Sequence, residues 1–322
     1  MKDQRFGKTR PTERCLSKIR SFGRVAVLAG GPSNEREISL RSGRAVHNAL
    51  TNKGLDAIFV DVKNDLCDII KNNKFAIAFI ALHGRFGEDG QVQKILEDAR
   101  IPYTGSGPQA SRLALDKVAA KEIFLKNSIP TPEYAVMTVD GVTAVEELSA
   151  LGAPLVVKPH LEGSSIGLSV VREISYLKDA ISTAFGYGNK VLIERYIQGR
   201  ELTVGMLNDE PLPVVEIVTR DGLYDYSAKY KDPDTRYIVP ADISNDLSRK
   251  AQYLAKCAHE ALGCRSFSRV DMMMDSAGGI FVLEVNSIPG MTERSLLPKA
   301  AASCGISFGD LCVRLLEDAI KR

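Results

Sequence analysis

The sequence lacks long apolar runs, cysteine pairs and an excess of charge of either sign, and each absence excludes a class of protein. No stretch approaches the roughly 20 apolar residues that span a bilayer, so we expect no membrane partner. The 6 cysteines contain no C-x-x-C pair and follow no apolar leader, which favours a reducing, cytoplasmic setting. The 42 basic and 40 acidic residues give a net charge of only +2, so composition demands no nucleic-acid partner.

Two familiar kinds of binding site are also missing or poorly matched. The chain has no G-x-x-x-x-G-K-[ST] segment, which excludes a P-loop. The segment 105–110 fits the spacing of a dinucleotide fingerprint, but Pro108 lies inside the turn and no acidic residue follows at the expected distance. Cys257 and His259 could form half of a metal site, yet no second pair stands at ligand spacing, which favours packing.

The first part of the chain has the alternating pattern of an α/β domain. Short apolar runs at residues 25–29, 57–62 and 75–81 are separated by helical patterns. Alternating strands and helices predict a small doubly wound domain with a parallel sheet over residues 24–104. The preceding residues 1–23 are basic and carry few large apolar groups, so they predict a flexible N-terminal arm.

The rest of the chain is mixed rather than alternating, which predicts an α+β arrangement in two further domains, 105–198 and 199–322. A helix is predicted at residues 111–127, and Pro130 and Pro132 end it. The other expected helices lie at 143–151, 174–185, 247–262 and 308–320. The expected strands lie at 154–159, 168–171, 191–194, 203–207, 213–218 and 270–274.

One loop has the composition of a phosphate-binding segment. Gly163-Ser164-Ser165-Ile166-Gly167 follows a strand that ends near Lys158. Small residues with free N–H groups can fold over phosphates, and Lys158 would add a positive charge. Glycine- and serine-rich turns also occur in proteins that bind nothing, so this motif alone leaves phosphate binding and a plain turn open.

A second constellation has the chemistry of a metal site. Arg269-Val270-Asp271 and Glu284-Val285-Asn286 both lie in strand patterns, and alternation places the outer residues of each triplet on one face. If the strands pair, that face holds the oxygen ligands Asp271, Glu284 and Asn286, which suit Mg²⁺. The alternative is a surface hairpin with salt bridges.

Two loops complete the pattern. In Pro289-Gly290-Met291-Thr292, glycine lets the backbone approach a ligand closely and offers an N–H to an oxyanion, although the segment could be a plain turn. Residues 223–240 are polar and irregular but contain several tyrosines, which predicts a lid loop.

With these blocks in this order, the chain closely resembles the D-alanine:D-alanine ligases of the ATP-grasp superfamily from Arg24 almost to its end. The matching blocks are residues 30–37, 81–90, 103–107, 157–159, 162–167, 228–230 and 284–292. The resemblance implies three domains with ATP between the second and third. It implies a reaction in which one D-alanine is activated as an acylphosphate and then attacked by a second, for peptidoglycan precursor synthesis. It also implies two Mg²⁺ ions, replaceable by Mn²⁺, held by Asp271, Glu284 and Asn286, with K⁺ as an activator, in a homodimer.

The resemblance also assigns residues to ATP. Lys117, Lys158 and Lys229 match lysines that hold the phosphates, and Ser165 covers them. The adenine edge matches Glu194, Arg195, Tyr196 and Ile197, with Glu201 on the ribose. Arg195 departs from the family, since many relatives have lysine there, and the two side chains differ in hydrogen-bond geometry. Ser227 likewise replaces a frequent glutamate.

The amino-acid site follows in the same way. Glu35 matches the partner of the first D-alanine's ammonium group, with Ser164 and Tyr230 completing its hydrogen-bonded set; Tyr230 favours a dipeptide over D-alanyl-D-lactate. Arg269 and the Gly290 N–H match the oxyanion donors, and Ser295 with the Leu296 N–H matches the site of the second carboxylate. His83 matches a histidine near the first D-alanine, and a structural histidine at a strand end is the alternative.

Two other functions remain open from sequence. One is an ATP-grasp ligase that uses a different amino acid or a hydroxy acid. The other is an ATP-binding protein without catalytic activity, although every matched metal, phosphate and oxyanion position holds a competent residue.

Overall fold

The computed structural model describes residues 13–63, 66–139, 151–220, 224, 228–229 and 232–321. Its first region contains a parallel sheet in the order β2-β1-β3, with β1 at Val25–Gly30, β2 at Ala57–Val62 and β3 at Ile77–Ile80. Every residue of β1 is buried, because a central parallel strand is covered on both faces. The predicted parallel sheet is confirmed.

The helices of this region include one that the sequence did not predict. They are α1 (Glu13–Phe22), α2 (Arg36–Asn52), α3 (Leu66–Asn72) and α4 (Gln91–Asp98). Helix α1 occupies the second half of the expected flexible arm, and its Cys15 and Ile19 are buried in the core. These two residues stand one helical turn apart, so they form a narrow apolar stripe that the surrounding charges obscure in the sequence. The expectation of flexibility is therefore wrong for residues 13–22, and residues 1–12 lie outside the described ranges.

The helix predicted at residues 111–127 is two helices, α5 (Pro108–Leu115) and α6 (Lys117–Lys126). Asp116 separates them in an extended conformation, and its carboxylate accepts the N–H groups of Val118 and Ala119 at 3.1 and 3.2 Å. An aspartate that caps a helix in this way also ends the one before it. Both helices pack on the C-terminal sheet, so we propose to place the start of the central domain after α6 rather than at residue 105.

The central region is an antiparallel sheet with its own small core. Its order is β4-β7-β5-β6, with β4 at Tyr134–Thr138, β5 at Leu155–Pro159, β6 at Ser169–Val171 and β7 at Lys190–Arg195. A 3₁₀ turn at Ile174–Tyr176 leads into α7 (Leu177–Phe185), which covers one face. The helix predicted at 143–151 falls almost entirely on residues 140–150, outside the described ranges.

The C-terminal region is a larger antiparallel sheet in the order β11-β10-β8-β12-β13, with β9 beside β8. The strands are β8 (Gly199–Leu207), β9 (Glu210–Pro211), β10 (Val215–Val218), β11 (Arg236–Ile238), β12 (Phe267–Asp275) and β13 (Ile280–Asn286). The helices are α8 (Asn245–Ala261), α9 (Leu296–Ser303) and α10 (Phe308–Ala319). Helix α8 packs with α5 and α6 on one side of the sheet, and α9 and α10 pack on the other.

The first and last regions share one hydrophobic core. Val27 and Phe79 of the first sheet belong to the same buried cluster as Leu297 of α9 and Leu311 of α10, whereas the strands of the central sheet form a cluster of their own. Within the described ranges no single helix is long and apolar enough to cross a membrane. By length and composition alone α9 and α10 would do so as a pair, and they are bent by 101° at the break between them.

Candidate active site

Two paired strands of the C-terminal sheet carry the predicted oxygen ligands. Strands β12 and β13 are antiparallel neighbours, with Arg269 opposite Asn286 and Asp271 opposite Glu284. Arg269 donates two hydrogen bonds to Asp271, from Nε at 2.8 Å and from Nη2 at 2.6 Å, and Asn286 Nδ2 donates to the same carboxylate at 3.0 Å. Because Asp271 is only 8% exposed, this is a buried polar cluster and not a surface hairpin. The predicted pairing is confirmed.

Lysines from three different elements surround Glu284. Lys117 Nζ lies 3.1 Å from a Glu284 oxygen and donates to the Glu162 carbonyl at 2.8 Å. Burial alone would raise the pKa of Glu284, but the charges of Lys117, Lys158 and Lys229 hold that pKa well below its ordinary value. Glu284 is therefore ionised at neutral pH, and the lysines form a cationic wall that suits phosphate groups.

The loop predicted to cover phosphates has an unusual backbone. Ser164 and Ser165 adopt left-handed φ angles of 50° and 60°, which non-glycine residues rarely do. Such strain persists where the surrounding structure fixes it, often at ligand sites. The Ser165 hydroxyl accepts from Lys229 Nζ at 3.1 Å and donates to the Tyr224 carbonyl at 3.2 Å. The loop is thereby joined to the segment that follows β10.

A cleft that is open to solvent lies between the central and C-terminal sheets. Its charged lining residues are Lys117, Lys158, Lys229, Asp271 and Glu284, among others. Its apolar walls include Val156, Ile166, Leu168, Met273 and Leu283. A cleft that combines cationic side chains with apolar walls is suited to a nucleotide, which has phosphates and a flat base. All the matched ATP residues that are described line it: Lys117, Lys158, Ser165, Glu194, Arg195, Tyr196, Ile197, Glu201 and Lys229.

The residue expected at the adenine edge is held by two lysines, one of which the sequence did not single out. Glu194 is 2% exposed, and its oxygens lie 2.6 Å from Lys121 Nζ and 2.5 Å from Lys158 Nζ. The lysine charges outweigh burial and lower the pKa of Glu194, whereas burial lowers the pKa of Lys121. Lys121 stands four residues after Lys117 on α6, a spacing that could have drawn attention to it.

The amino-acid end of the site begins at Glu35, directly before α2. The Ser164 hydroxyl donates to one Glu35 oxygen, which joins the first region to the phosphate loop. A Cβ on Gly163 would stand 2.5 Å from a Glu35 oxygen, and one on Gly84 would stand 2.8 Å from it. Both glycines therefore make room for the carboxylate. The predicted link between Glu35 and Ser164 is present, and its third member, Tyr230, lies outside the described residues.

A smaller cavity has lining residues from both the amino-acid end and the nucleotide cleft. It is lined by Glu35 and Glu88 from the first region, by Lys117, and by Glu284, Asn286 and Ser287. Burial and the nearby Glu35 charge raise the pKa of Glu88 to about 8. The Ser287 hydroxyl is buried and has no hydrogen-bond partner within the described part of the chain. Neither Glu88 nor Ser287 was singled out from sequence, although both lie inside matched blocks.

His83 lies behind these cavities rather than in their linings. Its Nδ1 is 3.0 Å from the Ile288 carbonyl and its Nε2 is 3.0 Å from the Ser42 hydroxyl. Burial lowers the pKa of His83, so the ring is neutral at physiological pH. A neutral ring that donates through Nδ1 must accept through Nε2. This geometry supports the structural alternative over direct contact with the first substrate.

The segment expected to hold the second carboxylate is a tight turn into α9. The Ser295 hydroxyl accepts from the Thr292 N–H at 3.1 Å and lies 2.9 Å from the Thr292 hydroxyl. Leu296 is the first residue of α9, where backbone N–H groups have no partner inside the helix. Gly290 precedes this turn, and a Cβ there would stand 3.1 Å from the Ser295 hydroxyl.

The pair Cys257 and His259 and the segment 105–110, both weighed as binding sites from sequence, lie outside the candidate active site. His259 is fully buried between Ser268, at 2.7 Å from Nδ1, and Asp209, at 3.1 Å from Nε2. This trio resembles a hydrolase triad in composition, but Ser268 is completely inaccessible. Both ring nitrogens of His259 are thus engaged within the protein, and the partly buried Cys257 packs against the core beneath α8, as the packing interpretation expects. Gly107 and Pro108 of the false dinucleotide fingerprint begin α5.

Comparisons with known proteins agree with this geometry. Residues 67–106 match the family model described as D-ala D-ala ligase N-terminus, and residues 123–317 match that described as D-ala D-ala ligase C-terminus. A D-alanine–D-alanine ligase from Marinobacter nauticus is 45% identical over 320 residues, covering 99% of this chain and 98% of the relative.

Solved structures extend the likeness to the fold. A crystal structure of D-alanine–D-alanine ligase from Bacillus anthracis complexed with ATP superposes with a TM-score of 0.81 at 33% identity, covering 92% of this chain and 97% of the other. The VanG D-Ala:D-Ser ligase from Enterococcus faecalis gives a TM-score of 0.79 at 31% identity, covering 91% and 98%. The C-terminal family model matches more than half of this chain, and the relatives match it over nearly its full length. The chain therefore belongs to the D-alanine–D-alanine ligase family.

Proposed function

We propose that the protein joins two D-alanine molecules into D-alanyl-D-alanine with ATP, releasing ADP and phosphate. One observation carries the proposal: Glu35, a carboxylate suited to an amino-acid ammonium group, lines the same small cavity as Lys117 and Glu284 of the nucleotide cleft. An amino acid held by its ammonium at Glu35 has its own carboxylate directed towards the phosphates. Activation of that carboxylate by phosphoryl transfer is the reaction that such a placement favours.

In the first step the carboxylate of the first D-alanine attacks the γ-phosphate, the bond from that phosphorus to the bridging oxygen breaks, ADP leaves and an acylphosphate forms. Lys117, Lys158 and Lys229 offset the phosphate charge as it moves towards the amino acid. Ser165 and its neighbours close over the transferred group, and the Ser164 hydroxyl orients Glu35 on the ammonium side. The family resemblance gives Tyr230 a part in the same hydrogen-bonded set.

In the second step the amine of the second D-alanine attacks the acylphosphate carbonyl. Arg269 and the Gly290 N–H stabilise the oxyanion that forms, because negative charge on that oxygen peaks in the tetrahedral intermediate. Ser295 and the Leu296 N–H hold the carboxylate of the incoming amino acid. Collapse of the intermediate expels phosphate and leaves the peptide bond.

Asp271, Glu284 and Asn286 fit a magnesium site. They present hard oxygen donors on two adjacent strands, and Glu284 is held ionised beside the lysines. The bonds that now join Asp271 to Arg269 and Glu284 to Lys117 satisfy these charges from within the protein. When bound, two Mg²⁺ ions would neutralise charge between γ-phosphate and carboxylate, with Mn²⁺ as a substitute. We also expect K⁺ to act as an activator.

The nucleotide lies with its base against Tyr196 and Ile197 and its ribose at Glu201. Arg195 is exposed and pairs with Glu133 at 3.3 Å, so its side chain points along the rim. The loss of the family's lysine at this position therefore alters a contact at the edge and leaves the apolar walls of the cleft unchanged.

The decisive experiment measures phosphate release from ATP and Mg²⁺ with D-alanine, L-alanine, D-lactate, D-serine or no acceptor, and identifies products by mass. Release that requires D-alanine and yields its dipeptide supports the proposal. The similarity to VanG favours one competitor, a mixed dipeptide of D-alanine and D-serine. If that product dominates when both amino acids are equimolar, the substrate assignment is wrong while the ligase chemistry stands.

We place this activity in the cytoplasm, where ATP is available and where the free cysteines stay reduced. Its product serves cell-wall peptidoglycan synthesis and hence cell shape. We expect a homodimer, which light scattering of the purified protein tests.

A further inference from the structure

The turn that carries Gly290 is held at both ends by side chains from the first region. At one end, Glu88 Oε1 accepts the Ile288 N–H at 3.2 Å and His83 Nδ1 donates to the Ile288 carbonyl at 3.0 Å. At the other end, the Ser42 hydroxyl accepts the Met291 N–H at 3.3 Å. None of the residues that make these contacts is more than 8% exposed, so water competes little for these bonds.

These bonds form a closed circuit. Since His83 is neutral and donates through Nδ1, its Nε2 accepts the proton of the Ser42 hydroxyl at 3.0 Å. The Ser42 oxygen is then free to accept from Met291, which fixes the direction of every bond in the circuit. Glu88 is anchored separately, because its second oxygen accepts the Gly84 N–H at 2.7 Å.

The middle of the turn contrasts with its ends. Pro289 has no N–H, and among the described residues nothing accepts the N–H of Gly290. A turn fixed on both sides with one free donor between them is suited to offer that donor to a ligand, because the donor needs no reorganisation when charge develops.

We propose that Ser42, His83 and Glu88 are positioning residues that set the Ile288–Met291 turn, and thereby aim the Gly290 N–H at the oxyanion. The proposal rests on the ligase reaction described above. It gives His83 a role through the turn rather than through substrate. It also makes the first region a part of the catalytic apparatus of the C-terminal one, although His83 and Glu88 lie 205 and 200 residues from Ile288 in sequence.

Ser42→Ala is the sharpest test, because it removes one acceptor and one donor from the circuit. Misplacing a catalytic group by ~1 Å costs up to about 100-fold in rate, so we expect kcat to fall by about 10- to 100-fold with the KM for ATP nearly unchanged. A phosphinate dipeptide, whose tetrahedral phosphorus mimics the intermediate, should bind more weakly by a similar factor. Binding of ADP should not change.

Ser39→Ala is the matched control. Ser39 lies one turn earlier on α2, is fully buried, and likewise makes two hydrogen bonds, to the Gly30 N–H at 2.8 Å and the Ala81 carbonyl at 2.7 Å, but it does not contact the turn. We expect it to lower the Tm about as much as Ser42→Ala while kcat stays close to that of the wild type.

Equal kcat values for Ser42→Ala and Ser39→Ala would overturn the proposal. So would a Ser42→Ala variant whose affinities for ATP and for the phosphinate fall by the same factor, because that result indicates a general loss of structure. If Ser42→Ala does not fold, Glu88→Leu takes its place, since it removes both acceptors from the N–H groups of Gly84 and Ile288. Wild-type protein without D-alanine-dependent phosphate release would instead contradict the proposed function, and the two failures are thus distinguished.

Discussion

At the scale of single residues, the charge of Glu284 is set by its surroundings. Its partly buried carboxylate lies among Lys117, Lys158 and Lys229, and it faces Asp271 across the strand pair. The ionised Glu284 carboxylate therefore offsets the positive charge of the lysines and can also coordinate a metal ion. Replacing it with a neutral amide leaves three cations around a site that must admit phosphates, but removes the negative charge that makes it a strong metal ligand.

We predict that Glu284→Gln abolishes D-alanine-dependent phosphate release while the fold is retained. Metal stabilisation of a phosphoryl-transfer transition state amounts to several kcal/mol, so kcat should fall by about 100-fold or more. Circular dichroism checks the fold, and the exposed Glu293→Gln is the matched control. A variant that turns over at close to the wild-type rate would contradict the assignment of the metal ligands.

A second residue-scale prediction concerns the ribose contact. Burial raises the pKa of Glu201 to about 7, against the opposing charge of Lys229. The ionised carboxylate accepts hydrogen bonds from both ribose hydroxyls better than the protonated acid does. Affinity for ATP should therefore rise, and its KM fall, as pH increases through about 7.

The comparison with Glu201→Gln isolates this effect, since phosphate groups titrate in a similar range. We expect the variant to have a KM for ATP about tenfold higher than the wild type above about pH 8, because a hydrogen bond to a charged group contributes about 1.5–3 kcal/mol. The difference should shrink at about pH 6. Parallel pH profiles would show that Glu201 does not titrate in this way.

Residue-level features were predictable from sequence where they depend on local alternation. Arg269 and Asp271 share a face because they lie two apart on a strand, and this required no knowledge of the fold. Lys121, Ser42 and Glu88 meet their partners only after the chain has folded. Ser42 bonds to Met291, 249 residues away, Glu88 bonds to Ile288, 200 residues away, and Lys121 pairs with the distant Glu194. Nothing in their immediate neighbours indicates these partners.

At the scale of elements, the differences from the sequence prediction come from short apolar stripes and caps. Helix α1 was missed because only Cys15 and Ile19 are buried among charged residues. The break between α5 and α6 was missed because Asp116 acts as a cap within a continuous helical pattern. Strand β11 has three residues, too few for a periodic signal. The long strands and helices were recognised because their periodicity extends over several turns or alternations.

Helix α1 gives an element-scale prediction. Ile19 is fully buried in the core shared with α10, so Ile19→Ala should lower the free energy of unfolding by about 2–5 kcal/mol. The exposed Ser17→Ala on the same helix should change it by less than about 0.5 kcal/mol. Urea unfolding of both variants measures the difference.

Truncations separate the two halves of the N-terminal segment. Removal of residues 1–12 should leave both activity and stability unchanged, whereas removal of residues 1–22 should lower the Tm because it exposes the surface that α1 covers. Equal Tm values for the two truncations would show that α1 contributes nothing to the core.

At the scale of the whole molecule, the buried clusters define two units that the site needs together. The first sheet and α9 and α10 share one core, whereas the central sheet is stabilised by a core of its own. The nucleotide cleft is lined from both sides, by Val156 and Leu168 of the central region and by Met273 and Leu283 of the C-terminal sheet. Ligand binding therefore connects parts that are otherwise stabilised independently.

We predict that hydrogen exchange under mild denaturant separates these units. Amides of β1 and α10 should open with one common free energy, and those of β5 and β7 with a lower one, because cooperative units follow shared cores. Saturating ADP with Mg²⁺ should raise the opening free energy of β5 and β7 towards the common value, since a ligand stabilises the state that binds it. Exchange that groups β1 with β5 without ligand, or that leaves β5 and β7 unaffected by the nucleotide, would contradict this division. In that case contacts outside the buried cluster of the central sheet would contribute to its stability, and the nucleotide would stabilise the protein through more than the cleft alone.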